Sequence, residues 1–344
     1  LAGGALIWRA ERAMTFLWAG LAVAVTTFVS AVLFALVSGE LNGMVAARGL
    51  VAAGINGAVS ASLTFLSFSL LGRVFGITTH LQLLELAHPN QPLLYRLARE
   101  APGTYHHSIV VSNLAESAVE EVGGDTLFTR VAVLYHDIGK VLRPGFFVEN
   151  QANRANVHEA LDPHTSARII QEHVADGVRL ARKARLPQSI IDVIQQHHGT
   201  TLVKYFYTQA VNAGEDVDEA EFRYPGPRPQ TKEAGVIMLA DGVEAAVRAA
   251  SQSGKLYEEV PAEGGVAAHR TAQLHRIVDD VIRARLEDGQ LDECDLTLKD
   301  IERVRQTFIT ILEGIYHPRI ECPELRRAPS PPPAMPDVTP VEVR

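Results

Sequence analysis

Histidine and aspartate residues that could bind metal ions recur along the chain in closely spaced groups. Thr-Tyr-His-His occupies residues 104–107, His-Asp occupies 136–137, His-His occupies 197–198, and Asp241 follows in a Leu-Ala-Asp-Gly context. Imidazole nitrogens combined with carboxylate oxygens suit Mn²⁺, Fe or Zn²⁺, whereas Ca²⁺ and Mg²⁺ sites are built mainly from oxygen ligands. The order of these groups predicts a two-metal phosphohydrolase.

The His136-Asp137 dipeptide is the most informative of these groups. The carboxylate of Asp137 can bridge two cations, while the imidazole of His136 binds only one. These adjacent residues could therefore begin a dinuclear centre that holds both oxygens of an in-line displacement at phosphorus. A single histidine in an amphipathic helix is more often a surface residue or a satisfied core residue, so the prediction depends on the whole cluster.

Two apolar runs without ionisable residues precede the candidate ligands, from Met14 to Val37 and from Gly49 to Gly72. Each is long enough to cross a bilayer, which takes about 20 apolar residues. The second run has small residues at every fourth position (Ala53, Gly57, Ala61), a spacing that lets membrane helices approach closely. We predict two transmembrane helices. A buried hairpin of a soluble protein and a cleaved signal peptide are less favoured alternatives.

Few charges orient these helices. Arg9 and Arg12 precede the first run, Arg48 lies between the runs, and Arg73 follows the second. The positive-inside bias favours cytoplasmic outer flanks, so we expect a multi-pass protein of the plasma (inner) membrane with a cytoplasmic C-terminal part. The chain begins at Leu1 with an apolar octet that we interpret as the end of an earlier helix. The parent protein should then contain further spans.

The net charge of −8 conceals a division between an uncharged N-terminal part and a charged remainder. No basic run of the kind that follows a nucleic-acid backbone is present, which disfavours DNA or RNA polymers and leaves a small phosphorylated ligand compatible. The two cysteines, Cys294 and Cys322, are far apart, so neither a zinc ribbon nor a disulfide scaffold is indicated.

Helical periodicity dominates the charged part. From about Thr79 to Pro318 apolar residues recur at intervals of three and four, and alternating strand patterns are nearly absent, which predicts an all-α domain. The predicted divisions are a transmembrane region at 1–75 with spans at about 14–37 and 49–72, a phosphohydrolase domain at 76–323, and a disordered proline-rich tail at 324–344.

Longer strings around the candidate ligands support a family resemblance. His-Asp-Ile-Gly-Lys at 136–140, placed after an apolar run, resembles the HD-domain metal phosphohydrolase superfamily. The strings that narrow the resemblance are Gly-Thr-Tyr-His-His-Ser (103–108), Tyr-His-Asp-Ile-Gly-Lys (135–140), Phe-Phe-Val-Glu-Asn-Gln (146–151), His-Val-Ala-Asp-Gly-Val (173–178), Gln-His-His-Gly-Thr-Thr (196–201), Arg-Tyr-Pro-Gly-Pro (223–227) and Asp-Gly-Gln-Leu-Asp-Glu-Cys (288–294). Up to about Pro323, the chain is similar to the seven-transmembrane HD family of bacterial membrane phosphodiesterases that hydrolyse cyclic di-AMP.

This resemblance implies a fold, an activity and partners. The fold is all-α, with the C-terminal transmembrane helices of the family's membrane region followed by an all-helical HD domain. The family normally has an extracellular sensor domain and seven spans, of which we expect only the last two here. The implied activity is hydrolysis of cyclic di-AMP to linear pApA with two divalent metal ions, Mn or Fe in preference to Zn. The expected partners are a small-molecule cyclic dinucleotide and the membrane, and a homo-oligomer is compatible.

The resemblance also implies a ligand set in which Asp137 bridges two ions. The expected ligands are His107, His136, Asp137 and Asp241 for the first ion, and Asp137, His173 and one or both of His197 and His198 for the second. Consecutive helical residues point about 100° apart, so His197 and His198 would not easily face one ion, and His198 is the first choice.

Competing interpretations exist for neighbouring histidines. His173 is preferred over His164 by its spacing along the family, and His158 and His80 are interpreted as surface residues. In the family, the histidine directly before the serine is the expected ligand, and this histidine is His107. His106 is expected to support His107.

Asp241 and Glu244 need separate consideration. Asp241 could simply cap a helix, but the apolar run before it favours a ligand delivered by a buried helix. Glu244, about one turn later, could hydrogen-bond near the site.

Asp137 and Lys140 are the predicted catalytic residues. Lys140 lies about one turn after His136 on the same helix face and could neutralise charge on the phosphoryl oxygens. A lysine at a helix end could instead interact with the helix dipole. The base pocket is unassigned, although Phe146 to Gln151 and Lys204 to Tyr207 contain side chains that could contact adenine.

Three alternative functions share parts of this pattern. A cyclic di-GMP phosphodiesterase of the HD-GYP type would need Gly-Tyr-Pro shortly after the His-His pair, where this chain has Gly-Thr-Thr. A guanosine tetraphosphate hydrolase shares the His-Asp core. A degenerate receptor would bind the dinucleotide without cutting it, but such a receptor has no need to keep every metal ligand.

Overall fold

The computed structural model describes residues 13–74, 78–151, 155–256 and 265–316. These ranges contain twelve α-helices, several short 3-10 helices and no β-strand, and one isolated bridge pairs Leu202 with Arg223. The all-α prediction is therefore confirmed for the described residues. Arg9, Arg12 and the proline-rich tail lie outside them, and the predicted domain boundaries stay predictions.

Helices α1 (Ala13–Val37) and α2 (Gly43–Val74) form an antiparallel hairpin. The small-residue positions of α2 lie where the two backbones are closest, since a Cβ built on Gly57 would lie 2.5 Å from the carbonyl oxygen of Gly20. Both helices have the length and composition of membrane spans, and only 11% of each apolar window is buried. A hairpin in the core of a soluble protein would be mostly buried, so the exposure favours contact with lipid.

The second span begins earlier than the predicted residue 49. Asn42 accepts hydrogen bonds from the backbone N–H groups of Met44 and Val45, at 3.1 and 3.0 Å, and so caps a helix that starts at Gly43. Arg48 lies within the second turn of this helix and not in the loop. Apolar composition located the span, but the cap decided where it begins.

The remaining helices build the part of the fold that contains the candidate ligands. They are α3 (His80–Leu86), α4 (Pro92–Glu100), α5 (Pro102–Val122), α6 (Thr126–His136), α7 (Pro163–Lys183), α8 (Gln188–Gln196), α9 (Lys204–Asn212), α10 (Lys232–Gln252), α11 (Gly265–Glu287) and α12 (Leu298–Ile315). Helix α10 lies at the centre, where it contacts α5, α6, α8 and α11. Every residue from Ala234 to Asp241 is buried, so this helix delivers its carboxylate from inside the core.

Helix α6 ends at His136 and a 3-10 helix, Ile138–Leu142, follows Asp137. Lys140 is therefore not on the same α-helix as His136, contrary to the prediction. Gly139 lets the 3-10 helix pass close to α7, because a Cβ at this position would lie 1.9 Å from the carbonyl oxygen of His173. The contact brings the two backbones together and places His173 beside Asp137.

The Gly139→Ala substitution should destabilise the fold, since the added methyl group would force α7 away from the 3-10 helix. Overpacking of this kind costs about 1–3 kcal/mol and should lower the melting temperature by roughly 2–12 °C. Thermal unfolding of the detergent-solubilised chain, followed by circular dichroism, measures the change. Gly145→Ala is the matched control, because a Cβ at Gly145 meets no atom within 4 Å. Equal melting temperatures for the two variants would contradict the close-approach explanation.

Candidate metal centre

All seven predicted ligand side chains lie together in the structure. They come from α5 (His107), the end of α6 (His136 and Asp137), α7 (His173), the segment after α8 (His197 and His198) and α10 (Asp241). Six of them are buried and His198 is partly exposed. A site built from five segments depends on the tertiary fold, while each segment contributes only one or two side chains.

The cluster divides into two groups that share Asp137. The first group contains His107, His136 and Asp137, and the second contains Asp137, His173, His197 and His198. Within each group the potential ligand atoms all lie within 4.8 Å of one another. A carboxylate common to two such groups is the arrangement expected of a bridging ligand.

The two oxygens of Asp137 face different groups. Its Oδ2 lies 3.3 Å from Nε2 of His136 and 3.7 Å from Nε2 of His107. Its Oδ1 lies 3.2 Å from Nε2 of His173 and 3.7 Å from Nε2 of His197. Each oxygen is therefore positioned to serve one group of imidazoles.

Asp241 completes the first group. Its Oδ1 lies 3.0 Å from Nε2 of His107 and 3.8 Å from Nε2 of His136. Its other oxygen, Oδ2, lies 3.6 Å from Nδ1 of His198 in the second group. The carboxylate of Asp241 thus lies beside both groups.

Three of the histidines are oriented in the same way. Nδ1 of His136, His173 and His197 contacts the backbone carbonyl oxygen three residues earlier, at 2.7, 2.5 and 2.8 Å respectively. A carbonyl only accepts hydrogen bonds, so Nδ1 must carry the proton. The Nε2 atoms are then the ones left to face the centre, as in protein sites whose metal-binding histidines donate their other N–H.

His107 is oriented by a side chain instead. Its Nδ1 lies 2.5 Å from Oε2 of Glu244, which is buried one turn after Asp241 on α10. Arg248, another turn along, lies 3.4 Å from the same oxygen. A carboxylate that accepts the second N–H of a histidine fixes the ring and makes it a better ligand.

The donor set fits a divalent cation. Nε2 of His136 and Oδ1 of Asp137 are buried and have no hydrogen-bond partner of acceptable geometry among the described residues. Polar atoms buried in this way are costly unless something satisfies them. Imidazole nitrogens and carboxylate oxygens at these separations can bind a metal ion of the transition series or zinc.

Charges around Asp137 keep it ionised. Burial disfavours the charged carboxylate, but the cations of Lys140 and His136 outweigh burial and hold the pKa of Asp137 well below its usual range. Nζ of Lys140 lies 2.7 Å from Asp137 and 3.0 Å from Glu149. Burial likewise opposes the charge of Glu149, and the same lysine is the main reason that its pKa falls to about 2.

The two groups hold protons differently. Burial lowers the pKa of His136, but the charges of Asp137 and Asp241 reverse this effect and raise it to about 10. Burial also disfavours the charged form of His107, whose pKa is nevertheless raised by Asp241 and Glu244. Burial and neighbouring histidines lower the pKa of His197 and His198. His136, in the first group, therefore holds a proton at neutral pH that a cation would have to displace.

The structure separates the competing histidines. His106 is exposed, so the expectation that it supports the ligand is wrong. His164 is partly exposed and bonds to Glu215 and Glu221, at 3.0 and 2.9 Å, outside the cluster.

The two histidines interpreted as surface residues are both more enclosed. His80 is partly buried at the start of α3. His158 is buried, with Nε2 lying 2.8 Å from the carbonyl oxygen of Phe146 and its ring against Phe206. Its burial depends on a long-range contact that local sequence does not reveal.

His197 and His198 follow the last residue of helix α8, Gln196. Both side chains reach the cluster, although the sequence favoured His198. Which of the two binds the ion stays a prediction.

Two residues near the centre were missed as functional candidates. The ring of Tyr224 is buried and stacks on His198, with 4.3 Å between centroids. Glu149 is bound by Lys140 and by the hydroxyl of Thr104, at 3.0 Å each. Both lie in strings that carried the family resemblance, Arg-Tyr-Pro-Gly-Pro and Phe-Phe-Val-Glu-Asn-Gln, and membership of those strings was the available signal.

The helical fold and its histidine and aspartate cluster define an HD-type protein able to bind metal ions. Residues 104–246 match the HD domain family, a range that includes all seven clustered residues. The chain belongs to the HD-domain family.

Relatives with named functions are similar over most of the chain. Cyclic-di-AMP phosphodiesterase PgpH of Listeria monocytogenes is 46% identical over 251 residues, which are 73% of this chain and 33% of that protein. PgpH of Bacillus subtilis is 45% identical over 250 residues, with the same two shares. The match therefore spans about a third of the length of these relatives.

Solved structures extend the comparison to the fold. The crystal structure of the HD domain of L. monocytogenes phosphodiesterase PgpH is 46% identical, with a TM-score of 0.58, and the match covers 66% of this chain and all of that one. The same domain in complex with cyclic di-AMP is 45% identical, with a TM-score of 0.59, and covers 67% of this chain and all of that one.

Metal binding should release protons and strengthen as the pH rises. His136, whose pKa is raised to about 10 by Asp137 and Asp241, holds a proton at neutral pH that a cation must displace. The affinity should increase toward the pKa of about 10 of His136. Calorimetric titration with Mn²⁺ in buffers of different ionisation enthalpy measures the release. A heat that is independent of the buffer would contradict the assignment of protons to the first group.

Glu244→Ala should weaken metal binding about 10- to 100-fold, because His107 loses the partner that orients its ring. Glu244→Gln keeps an oxygen that can accept the N–H of His107, so it should retain most of the affinity. Mn²⁺ titrations of both variants measure the difference, and Glu120→Ala, at an exposed position on α5, is the control. Equal losses in the Gln and Ala variants would show that the hydrogen bond is not the cause.

Proposed function

We propose that this chain is the catalytic part of a membrane-anchored, metal-dependent phosphodiesterase that hydrolyses cyclic di-AMP to linear pApA. The observation that carries the proposal is the buried carboxylate of Asp137, which is shared by two groups of metal-binding side chains. The proposal is also supported by the similarity of this chain, at 45–46% identity, to proteins named as cyclic-di-AMP phosphodiesterases and to an HD domain solved with that dinucleotide.

Each group would hold one divalent cation, Mn or Fe by preference. The side chains that would hold the first cation are His107, His136, Asp137 and Asp241, and those for the second are Asp137, His173, His197 and His198. Two cations held in this way supply the activated water and the charge neutralisation that phosphodiester hydrolysis needs. The chain's own contribution is a preorganised set of ligand atoms, since the histidine rings are already oriented by their Nδ1 contacts.

Lys140 would act beside this centre in two ways. Its ammonium group holds Asp137 in the ionised form and in position, through contacts at 2.7 Å to Asp137 and 3.0 Å to Glu149. An ammonium group has three donors, so a third N–H is left for a phosphoryl oxygen of the substrate. Lys140 would then neutralise charge on that oxygen as the bond to the ribose 3′-oxygen breaks.

The N-terminal hairpin would anchor the enzyme in the plasma (inner) membrane. Its two helices have the length and exposed apolar surface of membrane spans. The proposal places them as the last two of seven spans, with residues 76–323 as a cytoplasmic HD domain, and a homo-oligomer is compatible with it. Degradation of a cytoplasmic second messenger could then be coupled to the membrane region.

Two other functions use the same core. A guanosine tetraphosphate hydrolase would also use the His-Asp dipeptide, and a receptor would bind the dinucleotide without cleaving it. The six side chains of the two groups, with Asp241 beside both, favour an enzyme over a receptor. The named relatives favour cyclic di-AMP over guanosine tetraphosphate.

Hydrolysis of cyclic di-AMP, cyclic di-GMP and guanosine tetraphosphate by the detergent-solubilised chain, with Mn²⁺ or with a chelator, tests the proposal. We expect rapid, chelator-sensitive conversion of cyclic di-AMP to pApA. Asp137→Ala should reduce that turnover by at least about 10²–10³-fold, because both metal positions lose a ligand. His164→Ala, at a partly exposed histidine outside the cluster, should have little effect. Cyclic di-AMP binding without cleavage by the wild-type protein would support a receptor instead.

A further inference from the structure

A partly buried arginine lies beside the candidate metal centre. Arg285 is in the last turn of α11, and its guanidinium group packs against α10 at Gly242, the residue directly after Asp241. A Cβ built on Gly242 would lie 3.5 Å from Nη2 of Arg285. That distance is an ordinary van der Waals contact, so the guanidinium group lies directly beside α10 at this point.

This guanidinium group has no anionic partner among the residues that the structure describes. Its Nε is buried without a hydrogen bond, and no carboxylate there forms an ion pair with it. Asp288 is close in sequence, but its oxygens bind Arg223 at 3.1 and 2.9 Å, and Oδ2 also accepts from Gln290 at 2.8 Å. A charge that is partly removed from water, with its Nε buried, is ordinarily paired, so a cation left without a partner at this position points to an anion supplied from outside the chain.

Other cations near the centre already have partners. Lys140 contacts Asp137 and Glu149, and Arg248 lies 3.4 Å from Glu244. Arg270, on the same helix as Arg285, also has a buried Nε without a hydrogen bond. Fifteen residues of α-helix separate the two arginines by about 22 Å, so Arg270 is remote from the centre. Among the described cationic side chains, Arg285 lies close to Asp241 and has no ion-pair partner.

The electrostatic surroundings of Arg285 agree with this position. Burial lowers the pKa of Arg285, and the negative charges of Asp241 and Asp288 act against that effect. The guanidinium group is thus both partly removed from water and within electrostatic reach of the centre. A charge-assisted hydrogen bond formed in such surroundings is stronger than one formed in water.

We propose that Arg285 binds the non-bridging oxygens of a phosphodiester group of the substrate. The planar guanidinium fork matches two oxygens of one phosphate, and Arg is the residue suited to such bidentate contacts. The inference rests on the proposed function, because a cyclic dinucleotide supplies the phosphodiester anions. It adds a substrate-binding residue on α11, which lies outside residues 104–246 that match the HD domain family.

Steady-state hydrolysis of cyclic di-AMP by the full chain, together with Mn²⁺ titration, tests the role of Arg285. Arg285→Ala should lower kcat/KM by about 10- to 100-fold, the loss expected for a hydrogen-bonded charge, while Mn²⁺ affinity stays close to the wild-type value. Arg285→Lys keeps the charge without the planar fork, so its kcat/KM should lie between the values of the wild-type protein and Arg285→Ala. Added guanidinium ion at millimolar concentration should restore part of the activity of Arg285→Ala, which a structural role would not allow.

Arg283→Ala is the matched control, because Arg283 is exposed on the same helix and pairs only with Asp280, at 3.8 Å. Its kinetics should equal those of the wild-type protein. Retention of wild-type kcat/KM by Arg285→Ala, or a parallel loss of Mn²⁺ affinity, would overturn the proposal.

Equilibrium binding of cyclic di-AMP in the presence of chelator separates this proposal from the proposed function. Weaker binding by Arg285→Ala than by the wild-type protein supports the arginine contact even if the wild-type protein hydrolyses nothing, an outcome that would contradict only the proposed function. Equal binding by the two proteins would count against the contact.

Discussion

The burial of the Asp137 carboxylate is the constraint on which the rest of the site depends. A charged carboxylate removed from water is strongly unfavourable unless cations or hydrogen-bond donors surround it. Here Lys140 lies 2.7 Å away, and the Nε2 atoms of His136 and His173 lie 3.3 and 3.2 Å away. Glu149 then balances the lysine from its other side. Each neighbour is placed by a different segment, so the fold must be complete before the carboxylate is stabilised.

Helix ends provide much of this placement. His136 and Asp137 lie at the C-terminus of α6, and His197 and His198 lie just beyond the C-terminus of α8. The partial negative charge at a helix C-terminus favours cations nearby. The last carbonyl groups of these helices also accept hydrogen bonds from Nδ1 of the histidines, as Val133 does for His136 and Ile194 does for His197. The same geometry therefore ends the helix, orients the imidazole and favours a cation at the centre.

The site distributes its own charge unevenly. Carboxylates of Asp137, Glu149, Asp241 and Glu244 are gathered around the two groups, and most are matched by Lys140, Arg248 or protonated histidines. Arg285 is the nearby cation left unmatched among the described residues. A phosphodiester ligand approaching this centre would meet bound cations on one side and a guanidinium group on another, and both favour its negative charge.

The sequence by itself determined the helical class, the two apolar helices and the residue types of the candidate site, because periodicity, hydrophobic length and the His-Asp dipeptide are local patterns. Tertiary structure decided which of the adjacent residues His106 and His107 is buried, that both His197 and His198 reach the cluster, and that His158 is enclosed. It also decided the contacts of Glu244 and Arg285, since their partners are remote in sequence or come from a neighbouring helix. Such contacts follow from how helices pack and where they end, and local patterns do not encode either.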